Sequence, residues 1–135
     1  MKMNCVLLVD DDRVSNFITE KVLNGMGVTS MVTTAYDGKK GLDYIKYQCT
    51  DDLGTCPDLI LLDINMPLID GREFVDRYHK IPRQKESVIV VLSATELPDA
   101  EKAELRNAGV SEFLVKPLNA DKINDIVQKY FVLEE

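Results

Sequence analysis

The chain has one histidine (His79), three cysteines (Cys5, Cys49, Cys56) and fewer basic than acidic side chains, 16 against 23 in 135 residues. No apolar run approaches the roughly 18 residues that cross a bilayer, and the start lacks the layout of a signal peptide. The net charge of −7 and pI of about 4.7 disfavour nucleic acid and anionic membrane as direct partners, because both select a basic face. Lys39-Lys40 and Arg83 with Lys85 are too short to supply one. Three cysteines, an odd number at no metal-ligand spacing, argue against a closed zinc site or a disulfide framework. They read as small buried fillers in a protein of the reducing cytoplasm. Tyr36, Tyr44, Tyr47 and Tyr78 have no interleaved basic residues, which excludes a nucleic-acid stacking platform. His79, on a polar helix end, reads as a surface residue.

The chain does have material for a core: 45% of its residues are hydrophobic and 29% charged, enough to fold without a staple. Its length fits one domain over residues 1–135, with no repeat, low-complexity tract or linker. Apolar runs stand at 5–9, 30–35, 59–62, 88–92 and 112–115. Four are nearly unbroken, as expected of strands buried on both faces of a parallel sheet; the second, Met31-Val32-Thr33-Thr34-Ala35, is more polar and suits an edge. Segments of helical period follow each run. In the first, Val14, Phe17, Ile18 and Val22 share a face that should be buried, with Asp12 as N-cap and Gly25 or Gly27 past the end. In the last, Ile123, Ile126, Val127 and Tyr130 follow a cap at Asn119. Segments 38–48, 71–78 and 98–108 supply the others, with Pro98 suited to a first helical position. The 98–108 stripe is thin, three alanines and Leu105. Tyr47–Pro57 reads as a longer loop or an extension of the second helix. Five alternations of strand and helix specify an α/β domain with right-handed crossovers.

Parallel strands deliver the residues that end them to one edge of the sheet, where ligands bind. Here those residues are Asp10 and Asp11, Asp63, Ser93 and Lys116. Each has an ordinary explanation alone, such as a helix cap or a solvated loop lysine. Their joint placement does not. Two carboxylates about 4 Å apart repel by roughly 4 kcal/mol at an effective dielectric near 20, so the cluster should keep a proton or recruit a cation. All-oxygen ligands favour Mg2+ over zinc or copper.

Four stretches then carry a resemblance: Leu7-Leu8-Val9-Asp10-Asp11-Asp12; Leu61-Leu62-Asp63-Ile64-Asn65-Met66-Pro67 with Asp70-Gly71; Val91-Leu92-Ser93-Ala94; and Phe113-Leu114-Val115-Lys116-Pro117. In this order, over essentially the whole chain, they resemble the receiver domains of two-component response regulators. The resemblance implies a flavodoxin-like (βα)5 three-layer sandwich, with a five-stranded parallel sheet of order 2-1-3-4-5. It implies Asp63 as the nucleophile that takes a phosphoryl group from a sensor histidine kinase or histidine phosphotransfer protein. Asp11, Asp63 and the main-chain carbonyl of Asn65 would bind Mg2+ directly and Asp10 mainly through water. Lys116 and Ser93 would contact phosphoryl oxygens. Ser93 and Phe113 would form the switch, Asn65 and Thr95 would set the lifetime, and the face of the fourth helix, fifth strand and fifth helix would engage a downstream protein target. The interval from Asp11 to Asp63 is longer than usual, with the excess in residues 47–57, and Ser93 replaces the commoner threonine.

Rival readings fit less well. A haloacid dehalogenase-type hydrolase needs an acid where Asn65 stands and a nucleophile on the first strand. A flavodoxin-type FMN carrier could not cradle phosphate beside Asp10-Asp11-Asp12. A binding module that keeps the fold without phosphorylation leaves the full set of site residues unexplained. With only residues 131–135 after Tyr130, no output domain is expected in this chain, so signalling through bound partners is the reading, and the protein would catalyse only its own phosphorylation and dephosphorylation.

Overall fold

Alternating burial builds this molecule. The computed structural model describes residues 3–50 and 54–131. Strands β1 (Met3–Val9), β2 (Thr29–Ala35), β3 (Leu59–Asp63), β4 (Val88–Ser93) and β5 (Glu112–Val115) pair in parallel in the order β2-β1-β3-β4-β5. Successive strand residues point to opposite faces. Leu7, Val9, Ile60, Leu62 and Val91 therefore pack on one side against Leu42, Phe74 and Leu105. Val6, Leu8, Leu61, Val90 and Leu92 pack on the other against Leu23, Ile123, Ile126 and Val127. The first layer comprises α2 (Gly38–Cys49), α3 (Gly71–Tyr78) and α4 (Asp99–Asn107). The second comprises α1 (Arg13–Met26) and α5 (Ala120–Tyr130). Four crossovers, two helical layers and this strand order make the expected flavodoxin-like sandwich.

Local chemistry sets the helix starts. Asp12 accepts from the amides of Val14 (3.0 Å) and Ser15 (3.3 Å), Asp70 from Glu73 (3.0 Å), and Asn119 from Lys122 (2.9 Å). Such caps contribute about 1 kcal/mol each. Gly27 ends α1 in the left-handed region (φ 65°), as a helix C-terminus prefers. Pro98 stands one position earlier than expected, as the N-cap of α4 rather than its first residue. No helix among the described residues is long and apolar enough to cross a membrane.

Three further expectations are corrected. The strand β5, whose nearly unbroken apolar run reads as buried on both faces, is half-buried at all four positions; it lies at the edge that the expected strand order gives it and has one neighbour. On α1 the buried residues are Asn16, Thr19 and Leu23, whereas Val14, Phe17 and Ile18 are 67%, 59% and 43% exposed. The helix turns its polar-looking side to the sheet because Asn16 makes a buried hydrogen bond there (below). Finally, Cys49 and Cys56 are disulfide-bonded. The helix α2 runs to Cys49 and the chain returns to enter β3, which brings two buried cysteines seven positions apart to a Cα separation of 4.7 Å. Spacing rules for metal sites and disulfide frameworks carry no information about such a local closure. Cys5 is a free, buried filler as expected. Of Tyr47–Pro57, residues 47–49 extend α2 and 51–53 lie outside the described residues.

Candidate functional site

The strand registers bring the site together. Val9 pairs with Leu62, Asp63 with Leu92 and Ser93 with Val115, so the chain leaves β1, β3, β4 and β5 at one level. Beyond the ladder, the Asp10 amide donates to Ala35 O (3.1 Å), Ile64 to Leu92 O (3.0 Å) and Lys116 to Ser93 O (2.8 Å). These bonds carry sheet rigidity one residue into the loops that hold the carboxylates and the ammonium.

Asp10 and Asp63 are buried and Asp11 is exposed, with one carboxylate oxygen from each within 4.8 Å of the others. The Lys116 ammonium lies 2.7 Å from Asp10 Oδ2 and 3.7 Å from Asp63 Oδ1. Its tighter partner is thus Asp10, rather than the Asp63 carboxylate alone. One cation against three carboxylates leaves the cluster negative. Burial and the charge of Asp10 push the Asp63 carboxyl up to about 6, against the opposing pull of Lys116 and the Asn65 amide. The sequence expectation that the cluster keeps a proton or recruits a cation has its counterpart in that shift.

The loops around the cluster are held individually. Asp10 Oδ1 accepts from the Asp12 amide (2.9 Å) and Asp63 Oδ1 from the Asn65 amide (3.4 Å). After Asp63 the chain makes a tight turn in which the Ile69 amide donates to Pro67 O (2.8 Å). That turn holds Leu68 at φ 69°, a costly conformation for a leucine. Gly71 then donates to Ile64 O (3.0 Å), and a Cβ there would come within 2.8 Å of Ile64 Cα. The glycine is needed because α3 starts against the backbone that follows Asp63.

Two positioning residues escaped the sequence reading. The buried Asn16 side chain donates to Asp10 O (2.8 Å). Lys122 Nζ donates to Val115 O (2.6 Å) and Pro117 O (3.0 Å), bracketing Lys116. Asn16 was detectable as the polar member of an i, i+3, i+7 set with Thr19 and Leu23; Lys122 had no signal beyond its place in the first turn of α5.

The remaining predicted residues sit around this centre. Ser93 is buried, with its hydroxyl donating to Thr95 O (2.6 Å). Asn65 and Thr95 are exposed. Phe113 is half-buried against the α2–α3–α4 layer. Beside Lys116 a cavity of about 290 Å³ is lined by residues including Val14, Ile18, Ala94, Pro117 and Leu118.

The model of the response regulator receiver domain family matches residues 6–128. The chain belongs to that family. It is 33% identical to two-component response regulator 24 of Arabidopsis thaliana over 91% of this chain and 81% of the relative. The Vibrio cholerae chemotaxis protein CheY4 superposes with a TM-score of 0.80 at 29% identity, covering 96% of this chain and 99% of that one. The receiver domain of the Arabidopsis thaliana histidine kinase CKI1, complexed with Mg2+ and BeF3−, gives a TM-score of 0.79 at 29% identity, covering 93% and 90%. The receiver is a signalling switch of two-component systems rather than a conventional enzyme, and its family works with histidine kinases and phosphotransfer proteins.

Proposed function

We propose that this receiver, acting as one unit over residues 1–135, accepts a phosphoryl group on Asp63 and passes the signal to a protein partner. The observation that carries the reading is the buried Asp63 carboxylate clustered with Asp10, Asp11 and Lys116. An O–P bond forms at Asp63 as the N–P bond of a donor phosphohistidine breaks, and the electron pair stays on the imidazole nitrogen. The reaction needs alignment and charge neutralisation more than covalent help.

The donor set fits Mg2+: three carboxylates, all oxygen, with a negative excess that one lysine does not cancel. Asp10, Asp11, Asp63 and the Asn65 carbonyl would hold the ion, which supplies charge neutralisation for the transferred group. Lys116 leaves the carboxylates to pair with a phosphoryl oxygen as a compact point charge. Ser93 exchanges its bond to Thr95 O for one to another phosphoryl oxygen. That exchange draws the β4–α4 loop inward and opens space for Phe113, which alters the face of α4, β5 and α5. Neither Asn65 nor Thr95 shields the site from water, so the acyl phosphate turns over by hydrolysis.

The donor protein docks on α1. Val14, Phe17 and Ile18 are exposed apolar side chains, and Val14 and Ile18 continue into the cavity beside Lys116. An apolar face bordering the reactive group suits a helical phosphotransfer partner. Transfer from a phosphorylated kinase or phosphotransfer protein tests the whole reading. Label should pass to the wild type and not to Asp63→Asn. Lys116→Ala should still take some label but lose the response at the α4, β5 and α5 face. Transfer to Asp63→Asn at the wild-type rate would overturn it.

A further inference from the structure

Phe113 has no hydroxyl with which to hold an outward position, yet its ring is not left to itself. Lys102 Nζ lies 5.9 Å and the Arg106 guanidinium carbon 5.0 Å from the ring centroid. The two cations stand one helical turn apart on α4, so both extend from the same face of that helix. Each is anchored elsewhere. Lys102 bonds to Glu96, in the β4–α4 loop immediately after the Ser93 partner Thr95. Arg106 donates to Ser111 O (3.0 Å) and pairs with Glu112 (3.5 Å). Glu112 also accepts from Lys129 and from the Tyr130 hydroxyl (3.1 Å) on α5. Burial pushes the Glu112 carboxyl up, but these partners outweigh it and hold it below its ordinary value. It thus stays an anion beside Arg106 at neutral pH.

We propose that Lys102 and Arg106 form a cation latch on the Phe113 ring, which holds the unphosphorylated conformation and sets how much phosphoryl binding is needed to leave it. The inference rests on the receiver reading of Asp63 and concerns how that site is regulated. It assigns to two α4 side chains the positioning role that a ring hydroxyl could otherwise fill. An exposed cation–π contact shifts a two-state equilibrium by about two- to fivefold. Because ligand and latch act on the same equilibrium, weakening one strengthens the other. Since the contacts extend from Glu96 through α4 to Glu112 and α5, the latch spans all three elements of the signalling face.

The chain has four phenylalanines, so protein grown with 4-fluorophenylalanine gives four resolvable 19F signals, with Phe113 assigned by Phe113→Leu. The probe is beryllofluoride with Mg2+, a phosphoryl mimic. In the wild type the Phe113 signal should move on saturation. In the Lys102→Met, Arg106→Met double variant it should start part-way toward the saturated position, and the mimic should bind about two- to fivefold more tightly. Arg106→Lys should restore most of the wild-type behaviour. Glu112→Gln and Glu96→Gln, which remove the anchoring anions and leave both cations, should change affinity less than the double variant. Unchanged or weaker mimic binding by the double variant would overturn the latch while leaving the receiver reading intact. Failure of the wild type to bind the mimic would overturn the receiver reading, and the latch with it.

Discussion

Asp63 carries a proton more readily than an ordinary aspartate because it is buried beside Asp10, and that has a measurable sign. With the carboxyl raised to about 6 in the folded protein and near 3.9 when unfolded, the folded state binds more protons between those values. Its contribution to stability is therefore fully present below about 3.9 and is lost as pH rises through about 6. In chelator, Asp63→Asn should gain stability relative to wild type from pH 4 to 7 and then level off, measured by urea denaturation. A difference flat across that range would show that the carboxyl is not perturbed. Asn65 and Thr95, both exposed at the rim, govern access of water. Bulky or charged replacements should shift the decay of the acyl phosphate by about tenfold, or roughly 1.4 kcal/mol of barrier, in a stopped-chase assay of labelled protein. Decay indifferent to both positions would place the water path elsewhere.

Among the elements, α1 is the one whose hydrophobic pattern misled. Val14, Phe17 and Ile18 satisfy a helical stripe, and a stripe normally faces the core. Here Asn16 faces inward because the Asp10 carbonyl needs a donor, and the apolar side chains are left outside. A pattern records which residues share a face but not which face meets the sheet. The consequence is testable. Phe17→Ala should leave stability within about 0.5 kcal/mol and weaken transfer from a phosphohistidine donor by about tenfold, as loss of an aromatic anchor does, while labelling by acetyl phosphate stays unchanged. Equal loss with both donors would mean the residue supports the fold instead. By contrast, α5 was legible down to its cap, since Ile123, Ile126 and Val127 are buried behind Asn119. The half-burial of β5 was not, because a strand of four residues with one neighbour has the same letters as a central one. The Cys49–Cys56 bond was missed for a similar reason: it depends on where α2 ends and β3 begins, and closes a loop too local to leave a spacing signature.

At the scale of the molecule the sequence was most informative where topology forces convergence. Parallel strands bring Asp10, Asp11, Asp63 and Lys116 to one edge whatever their separation along the chain, and their letters already suggested phosphoryl and metal chemistry. What stayed hidden were the supports, Asn16 and Lys122, whose roles lie in backbone carbonyls that no side-chain pattern reports. Hidden too was the cation pair on Phe113, which exists only because α4 lies over β5. Signalling by this receiver depends on Asp63 as the acceptor, and acetyl phosphate with Mg2+ tests that without any partner protein. Intact mass should rise by one phosphoryl group, trapped at Asp63 on peptide mapping, with no gain in excess chelator or in Asp63→Asn. A full gain by that variant, or a phosphoryl group mapped to another residue, would contradict the account.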